Sequence, residues 1–415
     1  MRSKKTSKLA WLFVPALVLT GWLFYKVPSV NQRLAWRIDL AKTYLRGVIH
    51  PAGPIPTPVA QITATPANTP TATLTPTRLP PKATVPGPTA TPLPSPTPIP
   101  TSVSLAAPPY VLQGPNNCGP ASLAMYLEYY GWDGNQDDIA QVVKPLDADR
   151  NVNPDELAYY VKNYAGWLNA EFRVGGDIDL LKSLLAAGFP VIIEETFHFD
   201  KPFWPNDDLW AAHYLLLTGY DDSTQTFIGQ DSFHGADQKI PYATLDEGWK
   251  IFNRVYLMVY PPNEEEILKT ILGANWDVNA NRQHALEVAQ SEAAQNPQDA
   301  FAWFNIGSNQ VFFENYLEAV GAFDKARTIG LPQRMLRYQF SPFFAYFHAG
   351  RMEDLMTLIN YALQRTPNSE EALVWQGWAL YRQGDSAGAI ESFHKALEAN
   401  PNSQDAQYAL NYVGG

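Results

Sequence analysis

The only cysteine of this 415-residue chain, Cys118, stands in QGPNNCGPASLAMYLEYYGW, residues 113–132. Asn116 and Asn117 are good helix N-cap types, Pro120 suits a first turn, and Leu123, Tyr126, Leu127 and Tyr130 recur at helical spacing. The cysteine is therefore expected where a polar loop turns into a helix. A thiol there feels the positive end of the macrodipole and unpaired backbone N–H groups, which favour thiolate. Gln113, upstream of it, can offer an amide N–H to an oxyanion formed beside the sulfur. The competing reading is a buried structural cysteine, the usual fate of a free thiol.

Partners for a thiol nucleophile come from one hairpin. AAHYLLLTGY (211–220) reads as a strand, DDST as a turn and QTFIGQDSF (225–233) as a returning strand. Pairing about Asp222 puts His213 directly opposite Asp231, with Cβ atoms about 4.5–5.5 Å apart on one face. At that distance a carboxylate accepts from one imidazole nitrogen and leaves the other for the thiol. The expectation depends on register, since a slip of one residue sends the two side chains to opposite faces. Taken singly, His213 reads equally well as a satisfied core histidine and Asp231 as a strand-end cap. With Cys118 they make a nucleophile, base and orienting group.

Gln113, then NNCGPASL, then a histidine opening an apolar strand followed by TGYDD, then GQDS, resembles the papain-like peptidases that process double-glycine leader peptides of bacteriocins. The likeness is closer to the stand-alone peptidase-like domains of that kind on bacterial surface proteins. It covers about residues 110–262. It implies a papain-like α+β fold, with Gln113 at the oxyanion position, Cys118 as nucleophile, His213 as base and Asp231 as orienting group. Two departures stand out: Asn117 occupies a position that is usually Asp in the exporter members, and the sequence shows no transporter domain. A double-glycine substrate is therefore not implied.

Composition sets bounds. The length suggests two or three domains, and 46% hydrophobic residues are ample for packed cores. A single cysteine excludes an intrachain disulfide. The net charge of −11 argues against nucleic acid as a partner. The acidity lies in residues 110–262, which hold 9 Lys and Arg against 22 Asp and Glu. No cofactor is expected: His198, His213 and His234 lack a zinc spacing, and VGGD (174–177) reads as a turn rather than a phosphate loop. The pairs Glu194–Glu195 and Asp207–Asp208, near Phe203, Trp204 and Trp210, read as a solvated loop.

The flanks are of three kinds. Arg2, Lys4, Lys5 and Lys8 precede an apolar run over residues 9–25, with Trp11, Trp22 and Tyr25 near its ends. This predicts an uncleaved membrane anchor over 1–27. Residues 28–50 follow as a juxtamembrane helix, with Leu34, Ile38, Ala41, Leu45 and Val48 on the face that would rest on the bilayer. Residues 51–109 alternate Pro with Thr and Ala, which predicts a disordered spacer touching neither folded domain, outside the cell. Beyond the peptidase-like region, Pro297, Pro332, Pro367 and Pro401 recur at spacings of 35, 35 and 34. Gly377, Ala389, Phe393 and Ala396 give the small–small–aromatic–small pattern of a tetratricopeptide repeat, as do Trp303, Gly307, Ala319, Phe323 and Ala326 less completely. Tyr346, Ile359 and Ala362 align between them. Residues 263–415 are therefore expected to form an all-α solenoid, with a degenerate first unit at 267–296 and a capping helix at 403–412.

The sequence thus points to a membrane-anchored, extracytoplasmic cysteine peptidase acting on a peptide or protein substrate, with repeats that bind substrate or a protein partner. A different thioester chemistry on the same residues (amidase or transpeptidase) and a non-catalytic surface adaptor are the alternatives.

Overall fold

The computed structural model describes residues 28–51, 53–59, 99–146 and 148–414. The expected anchor over 1–27 and the interior of the proline-rich segment, 60–98, lie outside the described residues. Among those described, no helix is long and apolar enough to cross a membrane.

The helix expected to carry the thiol is α2 (Cys118–Tyr129), preceded by α1 (Pro28–Ile49) and β1 (Ser102–Ser104) and followed by α3 (Gln136–Val143) and α4 (Pro154–Tyr164). Strands β2 (Asn169–Arg173), β3 (Val191–His198), β4 (Trp210–Asp221), β5 (Thr226–Asp231), β6 (Gly235–Pro241) and β7 (Tyr256–Tyr260) join β1 in a seven-stranded antiparallel sheet. Its order is β2-β7-β3-β4-β5-β6, with β1 beside the far end of β4. Helices α5 (Ile178–Ala186) and α6 (Tyr242–Lys250) connect strands. The long apolar run of β4 is explained by burial on both faces. Tyr214 and Leu216 join a core with α2 and α4, while Leu215 and Leu217 join a second core with α5 and α6. Helix α2 is drawn onto β4 by Ser122, whose Oγ donates to the Tyr214 carbonyl at 3.1 Å. Gly119 permits the approach, since a Cβ there would come within 3.2 Å of the Tyr214 ring.

Helices α7 (Glu265–Leu272), α8 (Val278–Gln295), α9 (Ala300–Phe312), α10 (Tyr316–Ile329), α11 (Met335–Tyr338), α12 (Ser341–His348), α13 (Met352–Arg365), α14 (Glu370–Arg382), α15 (Ser386–Ala399) and α16 (Gln404–Val413) follow. The repeat pattern is visible as packing. A Cβ at Gly377 would collide with the Phe393 ring, and one at Gly307 with the Phe323 ring. The small residue lets paired helices close on the aromatic, and Ala319, Ala326, Ala389 and Ala396 around them are fully buried.

The solenoid meets the α/β region at several points along the chain. At its start Asn281 brackets Val174, accepting from its N–H at 3.0 Å and donating to its carbonyl at 2.8 Å. Further on, Lys250 pairs with Asp299 at 2.7 Å. In the middle Arg334, 1% exposed, grips the Asp207 carboxylate with two bonds of 2.6 Å. At the far end Asn402 Nδ2 donates to the Val142 carbonyl at 2.9 Å. Asp207 and Asp208 are thus interdomain ligands of Arg334 rather than a solvated loop, and Glu194 and Glu195 belong to β3.

The spacer expectation is corrected at both ends. Residues 53–59 are strapped onto the repeats. Arg327, 3% exposed, donates to the carbonyls of Pro56 and Thr57 at 2.9 and 3.0 Å, Tyr361 donates to Gly53, and Asp354 accepts from the Val59 N–H. Ile55 is buried in the solenoid core. At the other end β1 pairs with β4, and Tyr220 donates to the Pro100 carbonyl. Proline-rich backbone has no N–H to give at proline, but its carbonyls can accept, and buried Arg327 and two tyrosines donate to them. Helix α1 forms as expected and turns Ile38, Leu45 and Val48 outward, while Thr43 is buried and Gly47 abuts Trp204. The Leu34 side chain lies outside the described residues.

Candidate active site

Cys118 is the first residue of α2, with Asn117 as N-cap, as the helix signals require. The Asn117 side chain does not cap, however. Its Nδ2 donates to Gln136 Oε1 at 2.7 Å, which also accepts from the Gly114 N–H, while Gln136 Nε2 holds the Leu112 carbonyl. Gln136 thereby fixes the loop that carries Gln113 and Cys118, a role no local signal announced. Asn116 adopts φ +54, a left-handed turn that asparagine tolerates.

His213 lies on β4 with Nε2 at 2.9 Å from Asp231 Oδ1, and both side chains are nearly buried. Its remaining ring nitrogen is free for the thiol, and Cys118 is hydrogen-bonded to His213. The hairpin register differs from the expected one. Leu216 pairs with Gln230 and Leu217 with Gly229, but beyond them Gly219 pairs with Ile228. Thr218 is thus an extra residue, a β-bulge. Its effect is decisive. Were the register of the outer pairs continued without a bulge, Asp231 would oppose Leu216, and His213 would point to the other face. The bulge moves Asp231 opposite Leu215, two residues from His213 on the same face. The two meet diagonally rather than directly. The Thr218 carbonyl accepts from the Leu105 N–H and its hydroxyl from buried Gln230, so the bulge is held from both sides.

The electrostatics favour an ion pair. Burial alone would lower the His213 pKa, but hydrogen bonds to Asp231 and Cys118 raise it to about 10. Burial pushes the Cys118 thiol up, and the His213 hydrogen bond and charge, the Tyr214 N–H and the Lys144 ammonium bring it below the usual thiol value. Lys144 is 3% exposed and donates to the Asn116 carbonyl at 3.0 Å. Asp231 is held well below the usual carboxylate range: its burial opposes this, but His213 and the His234 N–H outweigh it. Asp231 also accepts from the Phe233 N–H at 2.8 Å and from the His234 ring at 2.7 Å. His234, half exposed, is a second imidazole on the same carboxylate, and neither its spacing nor its type marked it in the sequence.

Gln113 lines the same cleft of about 400 Å³ as Cys118 and His213. Ser232 Oγ donates to Gln113 Oε1 at 2.9 Å, and the Gln113 N–H donates to the Ser232 carbonyl. With its oxygen so engaged, the Gln113 amide nitrogen is the end left to donate at the cleft. All four expected residues are therefore brought together. His198, at the exposed end of β3, is not among the cleft residues. Leu40 of α1 is, so the helix expected to rest only on a bilayer also covers one edge of the cleft.

Residues 105–258 match the profile of the Peptidase_C39 like family, and residues 370–403 match that of a tetratricopeptide repeat. Among curated proteins none is significantly similar. Of solved structures, a double glycine motif protease from an AMS/PCAT transporter, in complex with the leader peptide, is 22% identical over 38% of this chain and 94% of its own, with TM-score 0.28. Xylellain, a cysteine protease from Xylella fastidiosa, is 16% identical over 39% and 87%, with TM-score 0.31. YrrB, a tetratricopeptide protein with an unusual peptide-binding site, is 16% identical over 36% and 89%, with TM-score 0.19. Two kinds of domain thus follow one another along this chain: a C39-like cysteine peptidase domain and a helical, tetratricopeptide-like region.

Proposed function

We propose that this chain hydrolyses peptide bonds at Cys118, outside the cell membrane, with the repeats engaging substrate or a protein partner. The observation that carries the reading is the hydrogen-bonded series Cys118, His213, Asp231 opening into a cleft. In this reading the thiolate attacks the scissile carbonyl, and the Gln113 amide and the Cys118 backbone N–H receive the oxyanion. His213, protonated in the resting pair, gives its proton to the leaving amine as the thioester forms. It then takes one from water, which attacks the thioester and releases the acid and the thiolate. Asp231 keeps the imidazole oriented and stabilises its charged form. Membrane anchoring rests on the basic and apolar residues 1–27, and the outward apolar face of α1 at Ile38, Leu45 and Val48 is of the kind that lies on a bilayer. That the repeats take extended peptide is supported by the way Arg327 and Tyr361 hold the backbone of 53–59.

A thiol-directed activity probe tests the chemistry. Labelling of the wild type at Cys118, its loss in His213→Ala, and peptide cleavage lost in Cys118→Ala are expected. Cleavage persisting in Cys118→Ala would overturn the assignment.

A further inference from the structure

One buried carboxylate takes no part in the chemistry above. Glu194 is 4% exposed, and among the described residues no hydrogen bond or ion pair reaches it. Its pairing with Tyr214 in the β3–β4 ladder puts it on the α2 face, near Cys118. Burial and the neighbouring Cys118 push its carboxyl well above the usual carboxylate range, a shift that a cation brought to its side would reverse.

Two cavities meet at this residue. The cleft that holds Cys118 and His213 and a second cavity of about 600 Å³, between the α/β region and the solenoid, are both lined by Glu194 and Tyr338. The second cavity carries the carboxylates of Asp155, Glu370, Glu371 and Asp405 besides Glu194, and among the described residues Arg282 is the one cation that lines it. Its aromatic lining includes Phe344, Trp375 and Trp378. Burial, with repulsion from Asp149 and then from neighbouring groove carboxylates, raises the Glu371 carboxyl to about 8 and Glu370 to about 7, and burial raises Asp155 as well. The groove therefore holds clustered carboxylates that an incoming cation would relieve.

We propose that Glu194 and the acidic groove beyond it form a subsite for a lysine or arginine side chain of the substrate, on the stretch of peptide that leaves the catalytic cleft toward the repeats. The aromatic walls suit the alkyl stem of such a side chain, and the carboxylates its charged head. The proposal rests on the peptidase reading and adds the class of side chain selected.

A mixed peptide library is digested with the full chain and the cleavage sites are read by mass spectrometry. Lys and Arg should be enriched about tenfold or more at one fixed offset from the scissile bond, the ratio expected of a charge-assisted hydrogen bond. Glu194→Gln should abolish that enrichment while peptides without a cation there are still cut. Cleavage without enrichment, or enrichment unchanged in Glu194→Gln, overturns the subsite and leaves the peptidase reading standing. Thermal shift with Cys118→Ala full chain separates the two failures. A pentapeptide of alanines with a central lysine should raise its Tm, its norleucine counterpart should not, and the difference should vanish in Cys118→Ala/Glu194→Gln. Equal shifts for both peptides refute the subsite even if no library peptide is cut, an outcome that would count against the peptidase reading alone. Should Glu194→Gln fail to fold, Glu371→Gln on the solenoid side must weaken the same preference, and an unweakened preference refutes the groove.

Discussion

Asp231→Asn isolates the charge behind the catalytic imidazole. Asparagine keeps an oxygen for the Phe233 and His234 N–H groups, which Asp231 accepts at 2.8 and 3.0 Å, so the turn after β5 should survive. What is lost is the negative partner of His213 Nε2 at 2.9 Å. A hydrogen bond to a charged group contributes about 1.5–3 kcal/mol. At about 1.36 kcal/mol per pKa unit, the imidazolium loses roughly one to two units of stabilisation, and the thiol pKa it supports rises by a comparable amount. Below that pKa the thiolate fraction, and with it the rate of alkylation by iodoacetamide, falls by about ten- to a hundredfold. The assay is the alkylation rate of Cys118 against pH, with near-UV circular dichroism as the control for fold. Wild type should hold its rate into mildly acidic solution, and the variant should lose it at higher pH. Coincident profiles from two equally folded proteins would refute the argument that Asp231 stabilises the charged imidazole.

Gln113→Ala should lower kcat by about ten- to a thousandfold with little change in KM, because the donor acts on the oxyanion and not on the ground state; a change confined to KM would contradict that role. Arg327→Ala removes the buried cation that holds the Pro56 and Thr57 carbonyls, at a cost of about 3 kcal/mol or more, although Arg351 still pairs with Asp354. Hydrogen exchange at the Val59 amide, protected by Asp354 in the wild type, should speed up. Glu371 binds its proton more tightly in the folded protein, with its carboxyl raised from 4.5 to about 8. Its destabilising charge is therefore absent below about pH 4.5 and grows as pH rises toward 8. Glu371→Gln should accordingly raise Tm at pH 8, by on the order of 1–2 kcal/mol in stability, and leave it nearly unchanged at about pH 4.

Local chemistry was legible in the sequence. The polar loop before Cys118, the helical spacing after it and the apolar strand opening at His213 are short-range patterns, and the folded chain follows them. The repeat spacing was legible for the same reason, since each helix pair must bury its own small residues on its own aromatic. Register was not. The parity that puts His213 and Asp231 on one face depends on a bulge at Thr218, held by Leu105 from another strand region and by Gln230 across the ladder. The expected pairing reached the right face by a different route, because two residues of slip restore the period of a strand. The docking of 53–59 could not be read from its prolines, since the arginine that donates to its carbonyls lies some 270 residues on, Arg327 to Pro56 being 271 positions apart. Nor could Glu194, which alternation in a strand assigns to a face but not to a cavity. Residue types and short-range spacing marked which side chains could form a thiolate, a base and an orienting acid. Packing of the solenoid against the sheet decided which carboxylates became interdomain ligands and which line the cavity that the catalytic cleft opens onto.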